Sequence, residues 1–550
     1  MSLRLLLCSI VFQLTLLPPS LQSQVEKVAS GDRIMIAAHP LAAEAGLEVF
    51  RKGGNVVDVA VAAAYCLGVV EPHGSGIGGE GVMLIYDAAE DRYVVVDFKA
   101  TAPERASYEV LDFANPGDWR RTIRGASVPG TVAGLELARE RYGRLDRATV
   151  LQPAVEYALS GYQADSSLVA NLAIYRSLLL QDPHARRTYF PGDTLPSPGT
   201  LLRNPEYGRT LQKIQREGAE AFYRGSVAQM IAADMELHGG LISMADLTSY
   251  RPLLREPLVG TYRGYSVVTT PPPSGGMHLL EALGMLSFFD LEECRRQSGY
   301  SYHILAEVFK LMFQDEATLN GDPDFAEVPD EEVSSRAFAF SRLLEVSLGG
   351  ARHPAQADED EIGEGNTTQL SVMDREGNAV SLTTTLSSLF GTSHTVEAGG
   401  FFLNNEMQNY NSSPEHPNAL RTHKRVVTSL APTILSRDNG PEYALGTPGG
   451  DLILSTLTQV IVNLLDYGMT LEEAVSAPRM FSTFYQREME MEPGSSAATR
   501  TLLDSLGHTL KLSKSLGAVF GAVQAVRRDP ASGFLLGVSD PRRSGSPRGE

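Results

Sequence analysis

Cysteine is scarce: the 550-residue chain has three, Cys8, Cys66 and Cys294. That excludes a disulfide framework and leaves room for a single bridge, Cys66 to Cys294. The metal-ligand spacing H-E-x-x-H is absent, as are the serine elbow G-x-S-x-G and any internal repeat. The pattern therefore calls for no metal and no organic cofactor. Positive charge is in deficit, with 47 Lys and Arg against 66 Asp and Glu, a net charge of -19 and a pI of about 5.1. Such a surface repels polyanions, which argues against nucleic acid as a partner. The N-terminal apolar run Leu5 to Leu17 covers about 13 residues, short of the ~20 a spanning helix needs, so no stable membrane span is expected.

What is present describes a globular protein: 43% hydrophobic and 21% charged residues. By length alone the chain has room for roughly two to four domains. Arg4, the run Leu5 to Leu17, Pro18-Pro19-Ser20 and the small or polar residues up to Ser23 form a secretory signal pattern over residues 1–23. Export to a periplasm, a cell surface or the medium follows, with an uncleaved signal anchor as the alternative.

Residues 40–70 read as two helices. His39-Pro40 opens the first, Gly53-Gly54-Asn55 ends it, and Val56 to Val70 is apolar nearly all round, as a buried helix is. The glycine cluster Gly74 to Gly81 contains G-x-G-x-x-G, but a helix precedes it and the strand Val82 to Tyr86 follows. A dinucleotide site needs the reverse order, so that reading is rejected. From about Arg105 to Leu348 the pattern is mostly helical, interrupted by Pro271-Pro272-Pro273-Ser274-Gly275-Gly276. The acidic run Asp358 to Glu361 reads as solvated loop. Beyond it come two hairpins, Thr367 to Asp374 with Ala379 to Leu386, and Leu430 to Ser436 with Glu442 to Leu445. Gly449-Gly450-Asp451 then leads into the apolar helix Leu452 to Tyr467, which points backbone N–H groups outward at its positive end, where an oxyanion can be held.

Thr367 carries the chemistry. On local sequence it is an ordinary strand start. If the chain is cut between Asn366 and Thr367, however, a hydroxyl and a free α-amine sit on one residue, and the amine can take the hydroxyl proton during attack on a carbonyl. The preceding acidic segment would let the new end swing clear.

Taken together, Arg51-Lys52-Gly53-Gly54-Asn55-Val56-Val57-Asp58, the glycine cluster, Asp97-Phe98-Lys99, Pro271 to Gly276, Asn366-Thr367-Thr368, Leu403-Asn404-Asn405-Glu406-Met407, Lys424-Arg425 to Thr433, Pro448-Gly449-Gly450 and Ser539-Asp540-Pro541-Arg542 give the chain its likeness. It resembles a gamma-glutamyltransferase (glutathione hydrolase) proenzyme of the N-terminal nucleophile hydrolases, from about Val25 to Pro541. The resemblance implies an α+β fold, a four-layer αββα sandwich made by two subunits of one precursor. These are a large subunit, 24–366, and a small subunit, 367–550. Thr367 is the implied nucleophile for self-cleavage and for catalysis through an acyl-enzyme. Thr385 is the threonine that hydrogen-bonds it, and Gly449 and Gly450 form the oxyanion hole. The implied partners are a small gamma-glutamyl amide or a related amide and the second subunit.

Substrate contacts depart from the family pattern. Lys99 stands where the resemblance implies an arginine for the substrate's α-carboxylate; it keeps the charge and loses the bidentate fork. Ser387 replaces an asparagine. The acidic pair for the α-ammonium appears as Glu406 and Asn409, and the two serines beside the carboxylate as Thr428 and Ser429. Replacing an anion by an amide removes a charge-assisted bond of about 1.5–3 kcal/mol. The segment Asn411 to His423 is shorter than the lid of lid-bearing members, which implies a more open pocket. The first expectation is a gamma-glutamyl hydrolase or transferase. The second is an amidohydrolase for glutaryl or another dicarboxylic amide lacking the α-amine, which Asn409 favours. A third, a non-catalytic binding protein on the same fold, is countered by the retention of Thr367, Thr385, Gly449 and Gly450.

Overall fold

The computed structural model describes residues 26–113, 119–294, 296–353, 365–438, 440–514, 516 and 520–550. The signal segment 1–23 and the acidic run Asp358 to Glu361 lie outside the described residues. No helix among those described is long and apolar enough to cross a membrane.

Local chemistry sets the first helices where the sequence places them, Pro40–Arg51 and Val56–Val70. Asn55 starts the second as half of a capping box: its side chain accepts from the amides of Val57 and Asp58, and the Asp58 carboxylate accepts from the Asn55 amide. All fifteen residues of this helix are buried. With no polar face to turn outward, it can only sit against a sheet under other helices.

Two seven-stranded antiparallel sheets supply that surface. One runs Ser546–Gly549, Arg33–Ala37, Gly365–Asp374, Ala379–Ser388, Glu80–Asp87, Arg92–Asp97, Leu253–Arg255. The other runs Val28–Gly31, Leu535–Ser539, Gln524–Arg528, Gly440–Gly446, Thr433–Arg437, Tyr265–Thr269, Leu258–Tyr262. Side chains alternate along a strand, and the first sheet divides accordingly. Met35, Met83, Ile85, Leu370, Val372 and Leu382 join a core with the helices Pro40–Arg51 and Val56–Val70. Ile34, Ile36, Val82, Leu84 and Met373 join a second core with Val267, Ile434, Leu445 and Val526 of the other sheet and with the helices Gly276–Leu286, Gly299–Leu319 and Leu452–Leu465.

Both expected hairpins form, as Gly365–Asp374 with Ala379–Ser388 and as Thr433–Arg437 with Gly440–Gly446. The helical reading of 105–348 needs correction, because Leu253–Arg255, Leu258–Tyr262 and Tyr265–Thr269 are strands. Cys66 and Cys294 do not pair; Cys66 is sealed inside its helix.

The glycine cluster brings a loop against the site. A Cβ at Gly79 would lie 2.1 Å from the Thr385 carbonyl oxygen. Asn404 fastens the same loop by donating to the Gly78 carbonyl at 2.8 Å and the Ser127 carbonyl at 2.9 Å. The glycines therefore serve backbone packing, in keeping with the rejection of a nucleotide site.

Candidate active site

Thr367 and Thr385 face each other in register across the first hairpin. On its other side, Gly365–Asp374 pairs with Arg33–Ala37 only from Leu370 onward, so the Thr367 end projects past its neighbour. The register shifts between Gly365 and Thr367, at the Asn366 position. The Thr367 hydroxyl lies 3.4 Å from the Thr385 hydroxyl, whose oxygen also accepts from the Ser387 amide at 2.8 Å. Ser387 is held at φ 75°, in the left-handed region that a serine seldom adopts. That turn ends the strand and directs Ser387 and Ser388 towards Gln408 and Asn409, with contacts of 2.9–3.1 Å.

A cavity of about 370 Å³ opens over these groups. Thr367, Thr385, Ser387, Glu406, Asn409, Thr428, Ser429 and Gly450 all line it, so eight sequence-expected residues meet in one place. Gly449 and Gly450 make the turn into Leu452–Leu465 at φ 142° and 55°, and their carbonyls accept the amides of Leu452 and Ile453. The helix's positive end thus stands beside Thr367 in the same cavity.

Lys99 is not among the lining residues. Its side chain is fully buried behind the wall, with Nζ 3.5 Å from Glu80 Oε1 and a hydrogen bond donated to Thr428 Oγ1. Lys99 therefore acts on the cavity through Thr428. Glu406 is also fully buried: Oε2 accepts from Asn409 at 2.7 Å, and Oε1 has no hydrogen-bond partner among the described residues. Burial pushes its carboxyl well above the usual range, and the neighbouring Glu80 adds to the shift while Lys99 opposes it. The Glu80 carboxyl is raised as well, by burial against the pull of Lys99.

Sequence reading missed four contributors. Arg543 donates to the Thr367 carbonyl at 2.8 Å and interacts with Glu71, which in turn accepts from Thr368. Burial raises the Glu71 carboxyl to about 7. Glu316 and Asp451 bring two further carboxyls to the cavity. The Ser429 hydroxyl donates to Glu316 at 2.7 Å, and burial raises Glu316 to about 8, with Asp451 adding to the shift. No local signal marked Glu316, because the helix Gly299–Leu319 also carries Glu307, Lys310 and Asp315.

The chain is similar to known proteins along most of its length. Residues 42–549 match the family model "Gamma-glutamyltranspeptidase". The glutathione hydrolase proenzyme of Escherichia coli K12 is 34% identical over 522 residues, covering 91% of this chain and 89% of that protein. An acylase ACY 1 proenzyme of Pseudomonas sp. SE83 is 35% identical, covering 95% and 94%. Among solved structures, a cephalosporin acylase from Bacillus halodurans superposes with TM-score 0.86 at 28% identity, over 98% of this chain and 99% of that one. The Helicobacter pylori gamma-glutamyltranspeptidase gives 0.54 at 34% identity, over 56% and 90%.

Proposed function

The chain belongs to the gamma-glutamyltranspeptidase family of N-terminal nucleophile hydrolases, and from that premise we propose that it is an exported, self-cleaving amidohydrolase acting through a threonyl acyl-enzyme. On this reading the two sheets and their helices are the αββα sandwich of the family. The observation that carries the proposal is the Thr367 hydroxyl 3.4 Å from that of Thr385, at a cavity edged by Gly450.

In maturation the Thr367 oxygen attacks the Asn366 carbonyl carbon, and the peptide C–N bond breaks as the nitrogen gains a proton. The resulting ester already carries the free Thr367 amine; water then hydrolyses it, releasing a large subunit that ends at Asn366 and restoring the Thr367 hydroxyl. In turnover that amine takes the hydroxyl proton as the oxygen adds to the substrate amide. The oxyanion is met by the N–H groups of the Gly449–Gly450 turn, and one such donor typically contributes ~10²–10³ in rate. The leaving amine departs protonated, and water or an acceptor amine then resolves the acyl-enzyme.

The acyl group we assign first is gamma-glutamyl, its carboxylate towards Thr428 and Ser429 and its ammonium towards Glu406 and Asn409. A second reading, glutaryl or another dicarboxylic acyl group without the amine, is favoured by the neutral Asn409 and by the burial that disfavours the charged form of Glu406. Intact mass of wild type beside Thr367→Ala tests the mechanism. Wild type is expected as two pieces, the smaller starting at Thr367, and the variant as one; an uncut wild type defeats the proposal. Gamma-glutamyl and glutaryl anilides compared on the cut enzyme then decide the acyl group.

A further inference from the structure

The cavity wall carries carboxyls and hydroxyls but, among the described lining residues, no lysine or arginine. The hydroxyls assigned above to the substrate carboxylate are those of Thr428, which accepts from Lys99, and of Ser429 beside it. Yet the Ser429 proton is already committed to Glu316, a carboxyl of the chain itself. The subsite for the substrate's acid thus contains an acid of its own.

We propose that Glu316 is a specificity-determining group sharing Ser429 with the substrate: protonated it admits an acyl group bearing a carboxylate, and ionised it excludes one. This rests on Thr428 and Ser429 being the carboxylate end of the acyl site, as in the reading above. Two carboxyl groups meeting over one hydroxyl cannot both be ionised without strong repulsion, and a shared proton converts that repulsion into a hydrogen bond. The surroundings fix when the proton leaves. Ser429 lowers the Glu316 proton affinity, burial and Asp451 raise it, and Glu281 interacts with Glu316 from beside Asp315 and Arg342. Asn320 and His416 also line the cavity. The balance lies at about 8, so the proton is present at neutral pH and lost in mild alkali. Lys99 does not cancel the ionised form, because it is paired with Glu80 behind the wall.

Glutaryl and valeryl anilides separate this effect from every other titration, since they share chain length and lack an amine. Between about pH 6.5 and about pH 9.5 the KM for glutaryl anilide is expected to rise by up to ~30-fold, the ratio for a group near 8 that must be protonated. The KM for valeryl anilide stays flat, and Glu316→Gln, which holds a neutral group in place, removes the rise. An equal pH dependence in wild type and Glu316→Gln, or an equal rise with the valeryl substrate, overturns the proposal. Calorimetric titration of glutarate into wild type and Glu316→Gln at the same two pH values reads the same gate without turnover. If neither anilide is cleaved, glutaryl is not the acyl group and the titration alone decides Glu316. Glutarate binding that weakens in alkali only with Glu316 present supports the gate, and binding indifferent to it sinks the gate.

Discussion

The Thr385 hydroxyl stands between the nucleophile and a turn, with the Thr367 oxygen at 3.4 Å and the Ser387 amide at 2.8 Å. Thr385→Val keeps the branched shape and removes that oxygen. A buried N–H left without its acceptor costs about 1–3 kcal/mol, and losing a group that steers the nucleophile's proton is expected to lower kcat by roughly 10²-fold. Thermal unfolding and anilide kinetics measure the two effects; unchanged kcat would remove Thr385 from the chemistry. At this scale the sequence was most legible where a role sits in adjacent residues. The Gly449-Gly450 turn could be read because a helix start is local, and the proposed cut at Asn366-Thr367 likewise rests on adjacent residues. Arg543 and Glu316 could not be read, since their meaning comes from partners 176 and 113 residues away. The depth of Lys99 was not legible either: nothing local says that its amine pairs with Glu80 behind the wall.

Among the elements, the glycine loop is a tight constraint next to the site. Adding a methyl at Gly79 puts carbon 2.1 Å from the Thr385 carbonyl oxygen, so loop or strand must move. Gly79→Ala is expected to lose ~1–3 kcal/mol, the usual cost of overpacking, and to slow self-cleavage by displacing the strand that carries Thr385. Gly349 has nothing within 4 Å of its added Cβ, so Gly349→Ala serves as the control that changes neither by much. Denaturant midpoints and the rate of appearance of the small fragment report the difference. Helices with caps and long apolar runs, such as Val56–Val70 and Leu452–Leu465, were legible because their signals are internal. The strands Arg92–Asp97, Leu253–Arg255 and Leu258–Tyr262 were not. They are short and carry charged or exposed residues, and they become strands through distant neighbours, as Val95 does opposite Arg255.

For the whole molecule, the chain interleaves across the proposed cut. Gly365–Asp374 pairs with Arg33–Ala37, Ala379–Ser388 with Glu80–Asp87, Leu535–Ser539 with Val28–Gly31, and Ser546–Gly549 with Arg33–Ala37 again. Residues from both sides of position 366 thus share both sheets and both main cores. The two pieces of the mature protein are expected to co-elute in gel filtration at high salt and to part only under denaturant; separation in salt alone would contradict the interleaving. The fold class was reached through the family resemblance and not through periodicity, because strands and helices are mixed in both halves of the chain. The weave was not legible, since pairing between the first and last strands leaves no local trace.

That weave also ties the candidate nucleophile to residues far along the chain. Asp32 and Arg33 donate their amides to the carbonyl of Glu550, and Arg543 grips the carbonyl of Thr367. If the chain cleaves itself as proposed, the strand of Thr367 gains its neighbouring sheet and its backbone clamp only once residues 535–550 have been added, so the cut is expected to follow their synthesis.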